Sequence, residues 1–403
     1  MRVFEDLASN IHAAWNEHAR DDTVFPELAR SALERFAPAT SVAPADLLRW
    51  SLESDHLPRQ FDPQSVFGNL ALTVASRGDF HIDALVWTDS TTSIHQHGFC
   101  GAFHVLQGSS LHSLWSFRES KRWSDRLKRG ELALVETEWL KTGSTRPIFP
   151  GAQMIHSLFH LENPSVTIVV RTPSAAMVSP QLNYERTGLA YDPFFETERG
   201  AKVRQTLALL WSSGHPDREA LTELALRGVD AHAAARIVSS IRSQATEEAQ
   251  CCVLDVLAAR DLELAALLRA TAACRERERR LVDLRKQTTS ARHRMLLALL
   301  LNLADRASID RVLQQMVPGS PPAEWIWESL RSMHDTPSRR ADGTNVLGLH
   351  LNEVSEEALR ILVGGASIAE ASAAIAEHTE LLEDARRLCG ALAASPVIGP
   401  LLQ

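Results

Sequence analysis

Between residues 70 and 172 the chain runs as a series of short segments rich in β-branched and aromatic residues: "LALTVA", "FHIDALVW", "AFHVLQG", "LHSLWSF", "LALVETEWL", "HSLFHL" and "VTIVVRT". Gly or Pro stands at the joints between them, at Gly78, Gly108, Gly130, Gly143, Pro150 with Gly151, and Pro164. Strands of this length, with turn residues at this spacing, fold as an antiparallel sandwich or barrel. No other stretch of the chain constrains the fold as tightly.

The texture differs on either side. In residues 1–64, Phe4, Leu7, Ile11 and Trp15 recur at helical spacing, and Pro26, Pro38 and Pro44 cut the segment into short helices. After residue 196, "AKVRQTLALLW", "REALTELALRG", "EEAQCCVLDVLAARDLELAALLRATAA" and "RHRMLLALLLNLA" carry apolar residues at helical spacing toward a shared core. Loops are predicted at "VPGSPP" and "DTPSRRADGTN". The final segment opens on a strand-like run, "VLGLHL", and continues into a helix with Ser355 as N-cap and Gly364 and Gly365 as its stop. The predicted organisation is an N-terminal helical segment (1–64), a barrel (65–195), a helical domain (196–335) and a small C-terminal helical module (336–403), α+β overall.

Charge and cysteine usage narrow the function classes. The formal charge is −8, with no dense basic face outside "RERERRLVDLRKQ", so the footprint of a nucleic-acid binder is missing. The longest apolar burst, "MLLALLLNLA", is too short to span a bilayer, and no membrane association is expected. Five cysteines, odd in number and without CxxC spacing, read as reduced thiols and lead to the expectation of a cytoplasmic protein.

The chemistry concentrates in "TTSIHQHGFCGAFHVLQG". A strand alternates faces, so His95 and His97 point to one side and can share one ion. With 16 histidines in 403 residues, chance alone gives roughly 0.6 such pairs. Context therefore decides. "SIHQHGFCGAFHVLQG" resembles the first motif of the cupin barrels, with Gly101 in the third position and Gly108 closing the motif. "PGAQMIHSLFHLEN" resembles the second cupin motif, with His156 at the position of a metal ligand and His160 where asparagine is usual.

The resemblance implies a mainly-β cupin (jelly-roll) barrel with N-terminal helices, followed by an all-α C-terminal region. It implies His95, His97 and His156 as metal ligands, with His160 a pocket-wall residue or substitute ligand. Within the cupins the texture is nearest to the thiol dioxygenases, which implies Fe(II) as the metal, with other divalent ions open. Many cupins add a glutamate at the position of Gly101, which cannot ligate. Three neutral imidazoles leave the ion's charge uncompensated and one face open, a site suited to an anionic substrate and O₂ side by side.

Departures from that family shift the substrate clamp. Thiol dioxygenases hold a carboxylate with a basic residue on an early strand, and "GNLALTVAS" offers none. Thr167, Val169 and Arg171 share a strand face; if it points inward, Arg171 is the candidate partner for an acidic substrate group. Tyr184, in "QLNYERTGLAYDP", is the other candidate site residue: with Tyr191 it reads as part of a structural linker or, alternatively, as a lid at the barrel mouth. Alternation counted from Gly101 places His104 and His112 on the outer face, and Cys100 reads as a turn thiol without a catalytic role. The expected function is a mononuclear non-haem iron dioxygenase acting on a small anionic molecule such as a thiol or amino-acid derivative. The alternatives are a cupin isomerase or hydrolase, or a metal- or ligand-binding regulator. The expected partners are that small-molecule substrate and O₂, with the helical half offering a surface for a homodimer or a protein partner.

Overall fold

A computed structural model describes residues 1–173, 180–303, 305–339, 345–376, 382–395 and 397–402. Three helices open the chain, α1 (Arg2–Glu17), α2 (Phe25–Phe36) and α3 (Pro44–Glu53). The strands that follow are β1 (Leu70–Ser76), β2 (His81–Trp87), β3 (Ile94–Gln96), β4 (Gly101–Gln107), β5 (Ser109–Ser124), β6 (Leu127–Lys141), β7 (Thr145–Ile148), β8 (Ile155–His160), β9 (Ser165–Arg171), β10 (Asn183–Tyr184) and β11 (Leu189–Tyr191). They form two antiparallel sheets. One runs β1-β2-β9-β4-β7, and the other runs β10-β11-β6-β5-β8-β3 and closes as β3 pairs with β10. This is the cupin jelly roll with N-terminal helices that the motifs predict.

Alternation along β9 sets the layers. Val166, Ile168 and Val170 face outward and join Phe4, Leu7, Trp15 and Phe25 of α1 and α2 in one buried cluster. Thr167, Val169 and Arg171 face the barrel interior, where they line a cavity. The chain leaves the first sheet for the second at Gly108, whose φ of +87° only glycine adopts without strain.

The β5–β6 hairpin is far longer than the apolar pattern predicts, 16 and 15 residues. In its distal half one face is half-buried, with Phe117, Trp123, Leu132 and Leu134 packed against neighbouring clusters, but Lys121, Lys128 and Gly130 share the half-buried positions and break the apolar alternation. Gly130, expected at a turn, lies within β6, where a Cβ would meet the Arg118 carbonyl at 2.4 Å; close strand approach explains it. Strands β7, β10 and β11 are too short to leave a periodic trace.

The chain after the barrel is helical: α4 (Glu198–Ser212), α5 (Arg218–Arg227), α6 (Ala231–Gln244), α7 (Glu247–Ala258), α8 (Leu262–Arg285), α9 (Ala291–Asn302), α10 (Arg306–Met316), α11 (Pro322–Asp335), α12 (Glu353–Val363), α13 (Ile368–Ile375) and α14 (Leu382–Ala393). Helix α9 carries "MLLALLLN" and is buried along its length between Leu111, Phe159 and Leu161 of the barrel and Ile326, Leu330 and Leu359 of later helices. A helix covered on all sides needs no polar face. Among the described residues no helix is long and apolar enough to cross a membrane.

Two fully buried arginines tie these helices to the strands. Arg285 donates to the Ser90 and His160 carbonyls and to Thr91 Oγ1, while Arg294 donates to the Leu161 carbonyl and pairs with Asp89. At the C-terminal end "VLGLHL" forms no strand: Val346 and Leu347 are buried in the helical cluster. The N-cap of α12 is Asn352, not Ser355; the two exchange side-chain hydrogen bonds in a capping box one turn earlier than expected. Gly364 and Gly365 follow the helix as predicted. Residues 340–344 of the expected loop "DTPSRRADGTN" lie outside the described residues.

Gly101 has a backbone reason as well as a motif position. It pairs with Arg171 of β9 and Ile148 of β7, and a Cβ built on it would lie 1.9 Å from the Val170 carbonyl oxygen. Gly101→Ala is expected to cost about 1–3 kcal/mol by forcing β4 away from β9. Urea unfolding measures this, and an unchanged midpoint would contradict the packing explanation.

Candidate metal centre

Strands β3 and β8 pair so that His95 lies opposite His156. His97 follows on the same side, where its backbone bridges to Pro150. Ligand atoms of the three histidines lie within 4.8 Å of one another, and the Nε2 atoms of His97 and His156 are 2.8 Å apart. Burial lowers all three pKa values, those of His97 and His156 well below the ordinary histidine range, and the neighbouring histidines add to the effect. The rings are therefore neutral, the form that ligates metals.

Hydrogen bonds orient two of the rings. His95 Nδ1 donates to the Ser93 carbonyl at 2.8 Å, which leaves Nε2 bare. His156 Nδ1 lies 2.9 Å from His112 Nε2, and His112 Nδ1 lies 2.8 Å from Glu138 Oε1. His97 Nδ1 is buried without a partner. Bare nitrogens of His97 and His156 at 2.8 Å repel unless a proton or a cation lies between them. The residues present fit a divalent transition ion held by three imidazoles.

His160, the substitute ligand, stands outside this cluster. It shares the inward face of β8, but four residues of strand carry it about 13 Å along the sheet from His156. Its Nδ1 meets Ser110 Oγ at 2.8 Å, its ring stacks on Trp87 at 4.8 Å, and burial together with Arg285 holds its pKa at about 3. Tyr184 is not a lid. Strand β10 is drawn into the second sheet, which packs the ring against Phe117 beside Ile94 and Trp115 and lets its hydroxyl donate to Gln96.

Arg171 reaches the cavity but brings its own counterion. Its Nη2 and Nε lie 2.9 and 3.0 Å from Asp83 Oδ2. Burial pushes the Asp83 carboxyl up, yet the His81 hydrogen bond and the Arg171 charge outweigh it and hold the pKa below the ordinary value. Cys100 is buried behind the first sheet among residues that face α1 and α2, and burial raises its thiol to about 11.

Sequence reasoning missed His112 and Glu138. Alternation counted from Gly101 sends His112 outward, but the chain changes sheets at Gly108 and the parity restarts there. Counted from that turn, His112 joins Ser110 and Leu114 on the inner face, opposite Leu111 and Trp115. His104, on the near side of the turn, faces outward as predicted and meets Thr145 and Ala39.

The three histidines line a cavity of about 370 Å³. Its walls are largely apolar, with Phe67, Trp87, Phe99, Phe103, Ile148 and Val169, and the rings of Phe67 and Phe194 stand 6.0 Å apart on its rim. The class defined by fold and site is a cupin barrel with a three-histidine centre.

No protein-family model and no curated protein matches the chain. Solved structures that it is similar to include a cupin-2 domain protein from Shewanella frigidimarina, at 13% identity over 33% of this chain and 94% of that chain with a TM-score of 0.20. Others are hydroquinone 1,2-dioxygenase from a Sphingomonas species with 4-hydroxybenzoate bound (11% identity, 27% and 69% covered, TM-score 0.21) and DMSP lyases (15%, 39% and 76%, 0.22). At these values the likeness says nothing of activity. The cupin fold stands on this chain's strand order and on the placement of His95, His97 and His156.

His95→Ala, His97→Ala or His156→Ala is each expected to weaken Co(II) binding by at least about 100-fold, whereas His160→Ala keeps the wild-type stoichiometry. Titration with elemental analysis checks this, and loss of metal in His160→Ala alone would contradict it. Burial pushes Glu138 up, but hydrogen bonds from His112 and Arg146 overcome it and hold the pKa at about 2. A depressed carboxylate pKa adds stability above its unfolded value of 4.5, which is lost as pH falls toward 2. The stability gap between wild type and Glu138→Gln is therefore expected to be open at pH 6 and closed near pH 2. A gap independent of pH in urea unfolding would count against it.

Proposed function

We propose that the chain is a mononuclear metal-dependent oxygenase, with Fe(II) held by His95, His97 and His156, acting on a small molecule that carries one acidic group on an apolar body. The observation that carries this reading is a set of three neutral histidines, His97 and His156 buried and His95 partly exposed, that lines a mostly apolar cavity. Ferrous iron bound there would supply the means to activate O₂.

The chain's own residues account for the rest. Three imidazoles bring no negative charge to a divalent ion, so an acidic substrate group is favoured at the histidine end. The opposite attraction, toward Arg171, is largely cancelled by Asp83. Trp87, Phe99 and Phe103 cover an apolar body and exclude water from the reacting end. Thr167 and Asn183 add hydroxyl and amide groups to the lining for any polar substituent. A thiol, or an amino-acid derivative with an apolar side chain, satisfies these conditions.

The test is a metal-replacement series on metal-free protein reloaded with Fe(II), Mn(II), Ni(II) or Zn(II), with O₂ uptake followed against a panel of small thiols and amino-acid derivatives. The expected outcome is O₂ consumption with Fe(II) and none with Zn(II). Equal turnover with Zn(II) and no O₂ uptake would overturn the oxygenase reading in favour of an isomerase or hydrolase.

A further inference from the structure

Behind His156 the structure holds a chain of side chains that the three-histidine centre does not by itself require. Glu138 of β6 accepts from His112 of β5 at 2.8 Å, and His112 in turn lies 2.9 Å from His156 Nδ1. Arg146 of β7 grips the same carboxylate with its Nε and Nη2 atoms. His112 is buried, its side chain 1% exposed, while Glu138 stands at 22%. Four strands thus contribute to one line of hydrogen bonds: β7 holds β6, β6 holds β5, and β5 holds the histidine of β8.

With His112 neutral, the proton count along this line has one direction. An ionised carboxylate only accepts, so His112 donates from Nδ1. A neutral imidazole that donates from Nδ1 has a bare Nε2, which only accepts. His156 must then donate from Nδ1, and its own Nε2 is left bare toward His95 and His97. With the direction reversed, or with His112 charged and donating from both nitrogens, a proton would sit on His156 Nε2, in the space that an ion would occupy.

We propose that Glu138 and His112 are positioning residues that fix the tautomer and ring orientation of His156, and through it the donor strength of the metal centre. This rests on the reading of His95, His97 and His156 as a metal site. Outer partners of ligating histidines commonly act through a single carboxylate or carbonyl. Here a second imidazole lies between, which lets a carboxylate at the barrel wall act on a ligand it does not touch. Arg146 sets the geometry that Glu138→Gln would disturb: the amide oxygen would stay with the guanidinium and the amide N–H₂ would face His112 Nδ1. That arrangement inverts both tautomers.

The experiment is ¹⁵N histidine NMR on the metal-free protein, paired with Co(II) titration followed by visible absorption. Wild type is expected to show His156 protonated at Nδ1. In Glu138→Gln and in His112→Leu the proton should shift toward Nε2, the Co(II) dissociation constant should rise 10- to 100-fold, and the ligand-field bands should move. His112→Gln retains an acceptor oxygen toward His156 and should restore the wild-type tautomer and most of the affinity. Should His112→Leu fail to fold, Glu138→Gln, at a half-buried wall position, carries the test.

Wild-type tautomer and affinity in Glu138→Gln would overturn the proposal, as would a loss in His112→Gln as large as in His112→Leu. The NMR arm separates the two readings. The expected tautomers in a protein that binds no Co(II) would refute the metal centre while leaving the relay standing. A metal-binding protein with His156 protonated at Nε2 when metal-free would refute the relay alone.

Discussion

The pairing of a three-residue strand, β3, with β8 is the interaction on which the site depends. It sets His95 opposite His156 and delivers His97 to the same cluster. So short a strand cannot hold its register alone, and the structure supports it on several sides. Strand β10 pairs along its other edge, and Gln96 accepts from Tyr184. Residues 89–91, just before it, are tied down by Arg285 and Arg294. Helices α8 and α9 therefore act on the metal-site strand through two buried guanidinium groups.

Charge is placed with the same economy. The ligand cluster contains only neutral rings, while two carboxylates behind it and on the cavity side are already matched: Glu138 with His112 and Arg146, and Asp83 with Arg171 and His81. Compensated charges of this kind can be buried without the penalty an isolated ion would carry. They leave the cavity with largely apolar walls.

Much of this was legible in the sequence, and the failures have physical causes. The strands that bury one face, from "LALTVA" to "VTIVVRT", announce themselves by alternation, and His95, His97 and His156 fall where the two motifs put them. In the distal β5–β6 hairpin the half-buried face mixes Phe117, Trp123 and Leu132 with Lys121, Lys128 and Gly130, so the apolar alternation is broken. His112 was lost because alternation is a property of one strand and does not pass through a turn that changes sheets. Tyr184 and Ser355 show the limit from the other side: their residue types suit a lid and an N-cap, but β10 pairing and Asn352 decide where they go. Arg171 shares a face with Thr167 and Val169 as the pattern predicts, and only the fold reveals that this face points inward and that Asp83 lies beside it.

The three-histidine centre is most directly tested by X-ray absorption at the iron edge of the Fe(II)-loaded protein. Three imidazole nitrogens should appear in the coordination shell through their multiple-scattering pattern, without sulfur, and His156→Ala should lose one of them. A fully hydrated ion, or a spectrum unchanged by that substitution, would contradict the metal site.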